Sequence, residues 1–295
     1  SELHEKISTD ISKLKMTAYK SPEPLAFGDR LKGDAEEVFE GEPWGEKLFD
    51  CAWFKFDCEI PEGEGGELAL KIDLNGELYI AGPGGSPVQG LTCKASTFCD
   101  SLGKPGKRLW PLPPELASAR SFSVWADCGL NDLFGALKNG GRVACARLVR
   151  INPEVRSLYY SFEQAFDWMC ATADCGLRGS LDSLLASVCR ALESDFASAV
   201  APSRESIDTF LRSSAPANSV KVCAIGHAHM DLAWLWPVRE TKRKLARTFS
   251  TALALGAKYP WYVYGASQPQ AYAWMKEGYP ELYSRIKKAV ADGSI

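Results

Sequence analysis

The chain has 295 residues, 46% of them hydrophobic and 24% charged, a balance that excludes a disordered or collagen-like chain and leaves room for two domains or more. Lys and Arg number 34 against 37 Asp and Glu, so the net charge is −3 and no domain-wide basic surface attracts nucleic acid or anionic lipid. No apolar run approaches the ~18 residues of a membrane-spanning helix.

The 10 cysteines include no C-x-x-C pair, which argues against a zinc ribbon or a thioredoxin-like motif. Several lie in apolar, strand-like runs (Cys51, Cys58, Cys145, Cys223). They read as reduced, mostly buried thiols of a cytoplasmic protein, because a chain of this size needs no disulfide framework. The first residue is Ser1, and no signal-peptide pattern follows it. At the other end Gly293 reads as a helix C′ residue and Ser294-Ile295 as the start of a strand. The expectation is a piece of a longer chain.

Residues 1–35 are expected to form an N-terminal helix and loop. Leu3, Ile7, Ile11 and Leu14 recur at helical spacing, and residues 21–45 are rich in Pro and Gly. Residues 36–152 read as an antiparallel β-sandwich. Cys51–Ile60 is aromatic and partly alternating, while Leu68, Leu70, Ile72 and Leu74 alternate strictly. Glu77–Ala81, Ser121–Cys128 and Gly141–Ile151 are further strands, separated by Gly, Pro and Asn turns.

Residues 153–218 read as a helical connector and linker. Two helices are predicted, one carrying Leu158, Phe162, Ala165, Phe166 and Met169, the other Leu181, Leu184, Leu185, Val188, Leu192 and Phe196. Residues 201–218, with Pro202, Pro216 and four serines, read as the linker itself. Residues 219–295 then read as the first units of a parallel α/β, barrel-like catalytic domain. A buried strand at Ser219–Ile225 leads to a helix over Arg239–Lys258, a strand at Trp261–Gly265 and further helix from Pro269, interrupted at Gly278-Tyr-Pro280. The fold class is thus multidomain α+β.

The chemistry concentrates at the end of that first strand. Only three histidines occur, and two of them, His227 and His229, share an H-x-H-x-D stretch with Asp231. Sites in parallel α/β folds assemble at the C-terminal ends of strands. Extended backbone there sends residues i and i+2 to one side, so His229 and Asp231 can present an imidazole nitrogen and a carboxylate oxygen to one cation, zinc or cobalt. His227 joins them or supports them from behind. The competing reading is two polar loop residues followed by a turn-capping carboxylate. Trp234 and Trp236 flank the same loop, as sugar-facing rings or as core. The basic stretch Arg239, Lys242, Arg243, Lys244 and Arg247 reads as a solvated helix face, with Glu240 and Lys244 as an i, i+4 pair. No G-x-S-x-G or Ser–His and Cys–His triad pattern is present.

The run Gly226-His-Ala-His-Met-Asp-Leu-Ala-Trp-Leu-Trp-Pro-Val-Arg-Glu-Thr241 resembles the opening of glycoside hydrolase family 38, the class II α-mannosidases. The resemblance continues through Arg247-Thr-Phe-Ser250, Tyr259-Pro260, Ser267-Gln268 and Tyr279-Pro-Glu-Leu-Tyr-Ser-Arg-Ile286. Upstream, Trp53-Phe-Lys55, Asn75-Gly-Glu77, Pro87-Val-Gln-Gly-Leu-Thr92 and Asn131-Asp-Leu-Phe-Gly135 resemble the β domain of the cytosolic-type branch.

The resemblance implies the N-terminal part of a retaining α-mannosidase with one zinc, hydrolysing terminal α-mannosyl residues of oligosaccharides. It assigns His229 and Asp231 to the metal and Trp234 to the sugar at the cleavage subsite. The nucleophile, the acid/base carboxylate and the remaining metal ligands are expected beyond Ile295, so this chain alone is expected to be inactive. Homo-oligomers are compatible with the pattern, and neither nucleic acid nor membrane is an expected partner. Two rivals stand beside this reading. One is an amidohydrolase-type metal hydrolase, which also places H-x-H at a strand end. The other is a non-catalytic, carbohydrate-binding β-sandwich module.

Overall fold

The computed structural model describes residues 2–93, 106–132, 134–137, 139–214 and 221–295. Cys99, the first two residues of the expected strand at 219–225 and the last four of the expected linker lie outside them. The chain divides into two compact units, one of Ser1–Asp10, Gly65–Glu67 and Val149–Val222, the other of Ile11–Glu64, Leu68–Leu148 and Cys223–Ile295.

A short helix, α1 (Glu2–Glu5), opens the chain, followed by strands β1 (Ser8–Lys13) and β2 (Lys15–Ser21). The amphipathic helix expected over the first twenty residues is therefore corrected. Met16 and Ala18 point inward at strand spacing. The strand period places them against β4, and the helical spacing of Leu3, Ile7, Ile11 and Leu14 is incidental. The expected loop at 21–45 also contains structure, a 3-10 turn at Phe27–Lys32 and strand β3 (Asp34–Val38).

Strands β4 (Cys51–Glu59), β5 (Leu68–Asp73), β6 (Glu77–Ala81), β7 (Pro87–Leu91) and β8 (Leu109–Pro111) follow. A short helix, α2 (Pro114–Ala117), precedes β9 (Ser121–Gly129) and β10 (Cys145–Ile151). They form a six-stranded sheet, ordered β3-β2-β4-β9-β6-β7, and a four-stranded sheet, ordered β1-β10-β5-β8. The six-stranded sheet is antiparallel throughout.

Alternate residues build the core. Leu68, Leu70, Ile72 and Leu74 are all buried, as are Phe54, Phe56, Leu78, Ile80 and Ala126. Burial of each large side chain contributes about 1.5–3 kcal/mol. Trp44 anchors the core by donating its indole N–H to the Leu74 carbonyl at 2.7 Å. At the β5–β6 turn Asn75 is left-handed (φ 54°), and the Asp73 carboxylate accepts its amide at 3.0 Å. The next residue must be glycine, since a Cβ on Gly76 would lie 2.5 Å from the Gly129 carbonyl oxygen.

The other unit is helical. α3 (Pro153–Ala171) starts at Asn152, whose side chain accepts from the Glu154 and Val155 amides, and α4 (Cys175–Ser194) starts likewise at Asp174. α5 (Phe196–Ser214) replaces most of the expected linker. Val200, Ser203 and Ile207 share its buried face, and Ser161 of α3 bonds Asp208 at 2.6 Å. This packing outweighs the hydrogen bond that Pro202 removes inside the helix.

Downstream, β11 (Gly226–His227) pairs in parallel with β12 (Tyr264–Gly265) across the long helix α6 (Val238–Lys258). Helices α7 (Pro269–Gly278) and α8 (Pro280–Ala291) follow, broken where the sequence suggests. The buried strand expected at 219–225 is corrected, because the described part is irregular and exposed, with Val222 at 87% and Ile225 at 60%. Cys223 is exposed with it. The strand expected at 261–265 is likewise reduced to Tyr264–Gly265. An apolar run becomes a strand only where a neighbour takes its backbone groups, and here that pairing begins at Gly226. Ser294 is not a strand residue, but its carbonyl accepts the Tyr264 amide at 2.9 Å.

Helices α6, α7 and α8 cover the outer face of the six-stranded sheet. Trp53, Tyr79 and Ala81 share a cluster with Leu245, Phe249, Met275, Leu282 and Ile286. The central strands are thus buried on both faces, which explains the incomplete alternation of β4. No described helix is long and apolar enough to cross a membrane.

Candidate functional site

The site is built on the loop that leaves β11. Three hydrogen bonds shape this loop. Gln268 donates its side-chain amide to the Met230 carbonyl at 2.8 Å. Thr241, in the first turn of α6, donates its hydroxyl to the Leu232 carbonyl at 3.1 Å and accepts the Trp236 indole N–H at 3.0 Å. Trp236 is buried, with the Lys244 ammonium 4.6 Å from its ring centre. Gly135, at φ +78°, leaves room for this ring, since a Cβ there would lie 3.1 Å from Trp236 Cε3. One hydroxyl thus ties the middle and the end of the loop to the helix.

His229 and Asp231 emerge on one side of this loop. Their Nε2 and Oδ1 atoms are 3.4 Å apart, with the imidazole 83% and the carboxylate 39% exposed. The pair offers one nitrogen and one oxygen donor to solvent, a set that suits a borderline cation. His227 is exposed on β11 and lines, with His229, a cavity of about 140 Å³. It does not make a third donor, because no group of three His, Cys, Asp or Glu is gathered for a metal among the described residues. Trp234 is 45% exposed and meets Trp236 edge to face, with ring centres 5.0 Å apart. The two tryptophans therefore differ, Trp236 serving as buried anchor and Trp234 remaining partly exposed on the same loop.

Behind the loop lies a buried charge network that corrects the solvated-face reading of the α6 basic stretch. Glu240, Arg243, Lys244 and Arg247 are all buried. Arg243 grips Asp127 of β9 through two bonds, at 2.8 and 2.6 Å, and reaches Glu240 at 3.0 Å. Arg247 bonds Glu240 at 2.6 Å and lies 3.9 Å from Glu77 of β6. Burial pushes the Glu240 carboxyl up, but the Arg247 and Arg243 guanidiniums more than offset it and hold it below the usual range. Burial raises Glu77 despite nearby Lys244 and Arg247. Only Arg239 and Lys242 of the stretch face outward, beside Glu23 and Glu277. The signal was present in the sequence, since Glu240, Arg243, Lys244 and Arg247 keep the i, i+3, i+4, i+7 spacing of a core stripe. Asp127 and Glu77 are acids inside apolar strands.

Two family profiles match the chain, the α-mannosidase jelly roll domain over residues 10–166 and the glycosyl hydrolases family 38 N-terminal domain over residues 219–295. Alpha-mannosidase 2C1 of Homo sapiens is 28% identical over 300 residues, covering 94% of this chain and 27% of that protein. Alpha-mannosidase G of Dictyostelium discoideum is 50% identical over 76 residues, covering 26% of this chain and 7% of that protein. The alpha-mannosidase of Saccharomyces cerevisiae (strain ATCC 204508 / S288c) is 38% identical over 89 residues, covering 28% of this chain and 8% of that protein. The chain thus spans about a quarter of the length of the mammalian relatives it matches over nearly its whole extent. A jelly roll followed by helices and by the H-x-H-x-D loop places the chain in glycoside hydrolase family 38, to whose N-terminal portion it belongs.

Proposed function

We propose that this chain forms the N-terminal part of a zinc-dependent retaining α-mannosidase that removes terminal α-mannosyl residues from oligosaccharides. The observation that carries the reading is the His229–Asp231 pair, 3.4 Å apart and open to solvent at the end of a parallel strand. The two donors fit zinc as half of a ligand set, and stable catalytic sites use three protein ligands or more. Bound there, zinc would act as a Lewis acid and a template for sugar hydroxyls.

The chain's own residues supply the rest of its contribution. Trp234, partly exposed and held by its edge contact with Trp236, serves as the aromatic surface on which a sugar stacks. Thr241 and Gln268 fix the loop, so the donors are set before substrate arrives. His227 supports the pair from β11. In this reading β11 and β12 begin a barrel-like parallel domain. The nucleophile and the acid/base carboxyl of the two-step displacement follow Ile295. Nine free thiols among the described residues, five of them buried, support a cytoplasmic setting.

The test is to assay the 295-residue chain for hydrolysis of an aryl α-mannoside with added zinc. No turnover is expected, because neither carboxylate of the displacement is provided. Chelator-sensitive turnover by this chain would place the catalytic carboxylates within it. Glu277 is the exposed candidate, while Glu240 is locked between two guanidiniums.

A further inference from the structure

A groove of about 560 Å³ opens on the helical unit, between α1, α3, the end of α4 and the start of α5. One wall is the α3 stripe Tyr159, Phe162, Glu163 and Phe166. The other is Cys189, Leu192 and Glu193 of α4, continued by Phe196 of α5. We propose that this groove seats a basic amphipathic helix of a partner protein.

Both walls repeat at helical spacing, i, i+3, i+4 and i+7 on α3 and i, i+3 and i+4 on α4. Such a stripe is how one helix covers another, and α3 and α4 already use different positions for that. The residues they bury are Val155, Leu158 and Ala165 of α3 and Leu181, Leu185 and Val188 of α4. The groove stripes are therefore a second face, and it is uncovered. Phe166 is 45% exposed, and Phe162, Leu192 and Phe196 are half-buried. A helix laid along the groove would set its apolar ridge between the two stripes, as in bundle packing. An extended segment finds no template, because the lining comes from helices and the turn after α1, and no strand lines the groove.

Charge selects a basic partner. Three acids, Glu2, Glu163 and Glu193, line the groove against one base, Lys6. Glu163 accepts the Tyr159 hydroxyl at 2.9 Å, a neutral donor that leaves its charge in place. The Lys6 ammonium turns onto the groove's own wall, 4.7 Å from the centre of the Phe196 ring. The helical unit as a whole repeats the bias, with thirteen Asp and Glu against eight Lys and Arg. A second copy of this chain suits the groove less well, because two-fold pairing of this surface with itself sets Glu163 and Glu193 against acids.

Fluorescence anisotropy of the 295-residue chain with labelled synthetic peptides of about four helical turns tests the proposal. The first peptide carries Leu at i, i+3, i+4 and i+7 and Lys elsewhere. The second replaces Lys by Glu, and the third keeps the Leu and Lys composition with Leu at alternate positions. The first should bind at one site and gain helicity by circular dichroism, and the other two should bind about tenfold more weakly or worse. Phe166→Lys, which puts a cation at the groove, should weaken the first peptide about tenfold or more. Phe39→Ser, at a comparably exposed aromatic of the other unit, should leave it unchanged. Should Phe166→Lys fold poorly, Glu193→Lys at an exposed position serves instead, with a loss of about threefold or more at low salt. No binding, equal binding of the Glu or the alternating peptide, or undiminished binding in the folded groove variant would each overturn the proposal. Dimers of the chain in sedimentation that Phe166→Lys splits would also overturn it, because they make a second copy the occupant.

Discussion

Two apolar runs that look alike in the sequence behave differently in the structure. Cys51–Glu59 is a nine-residue strand, bonded along both edges by β2 and β9 and covered on both faces. The run ending at Ile225 is irregular and exposed in its described part, and pairing begins only at Gly226-His227. The difference lies in what surrounds each run. A strand is stable when neighbours take its backbone groups and layers take its side chains. The first run has both within the described residues, and the second has neither.

The sharpest way to break this contrast is to place a charge in each region. Leu70→Asp puts an unpaired carboxylate between the two sheets and should cost about 4 kcal/mol or more, enough to unfold the unit. Val222→Asp lies in the open run and should change stability by less than about 0.5 kcal/mol. Urea titration followed by tryptophan fluorescence measures both. A soluble, folded Leu70→Asp protein would mean that the β5 register is wrong.

The same contrast recurs between the two faces of α6. Arg243→Met strips the buried Asp127 of its partner and should cost about 3–5 kcal/mol. Lys242→Met removes only a surface contact 3.8 Å from Glu277 and should cost about 0–1 kcal/mol. Asp127→Asn combined with Arg243→Met should recover part of the loss, because it removes the stranded charge.

These cases also show how much was legible in the sequence. The strict alternation of Leu68 to Leu74 and the Gly/Pro punctuation around α7 and α8 gave those elements directly, because each local signal agrees with its tertiary setting. β2 and α5 were missed where local signals mislead. Residues 15–21 have only Met16 and Ala18 as buried positions among polar neighbours, and Pro202 with its serines imitates a linker. The nearness of His229 and Asp231 was legible from their i, i+2 spacing just past a strand, although β11 itself ends at His227. The charge network was legible only in its core spacing, because charge at that spacing reads as surface until the acids of β6 and β9 are known to face it.

A smaller effect separates partly from fully buried ion pairs in acid. Glu40 accepts from Arg147 at 2.7 and 3.0 Å and from the Ala146 amide at 3.0 Å. Burial alone would raise its carboxyl, but these bonds and that of Lys13 hold it at about 2, against an ordinary 4.5. Its contribution is therefore full above about pH 4.5 and is lost as pH falls through about 2. Glu40→Gln should lower stability at pH 7 and flatten its fall between those values. An unchanged acid profile would mean that Glu40 is not held as the structure shows.

The claim with most at stake is that the open His229–Asp231 pair serves as half of a zinc centre in a mannosidase. The direct measurement is hydrolysis of an aryl α-mannoside by a longer purified protein that contains this chain, before and after chelation and with Asp231→Ala. The account predicts turnover that a chelator abolishes and zinc restores, and a loss of about a hundredfold or more in Asp231→Ala with the fold intact. Turnover that survives both chelation and Asp231→Ala would contradict it.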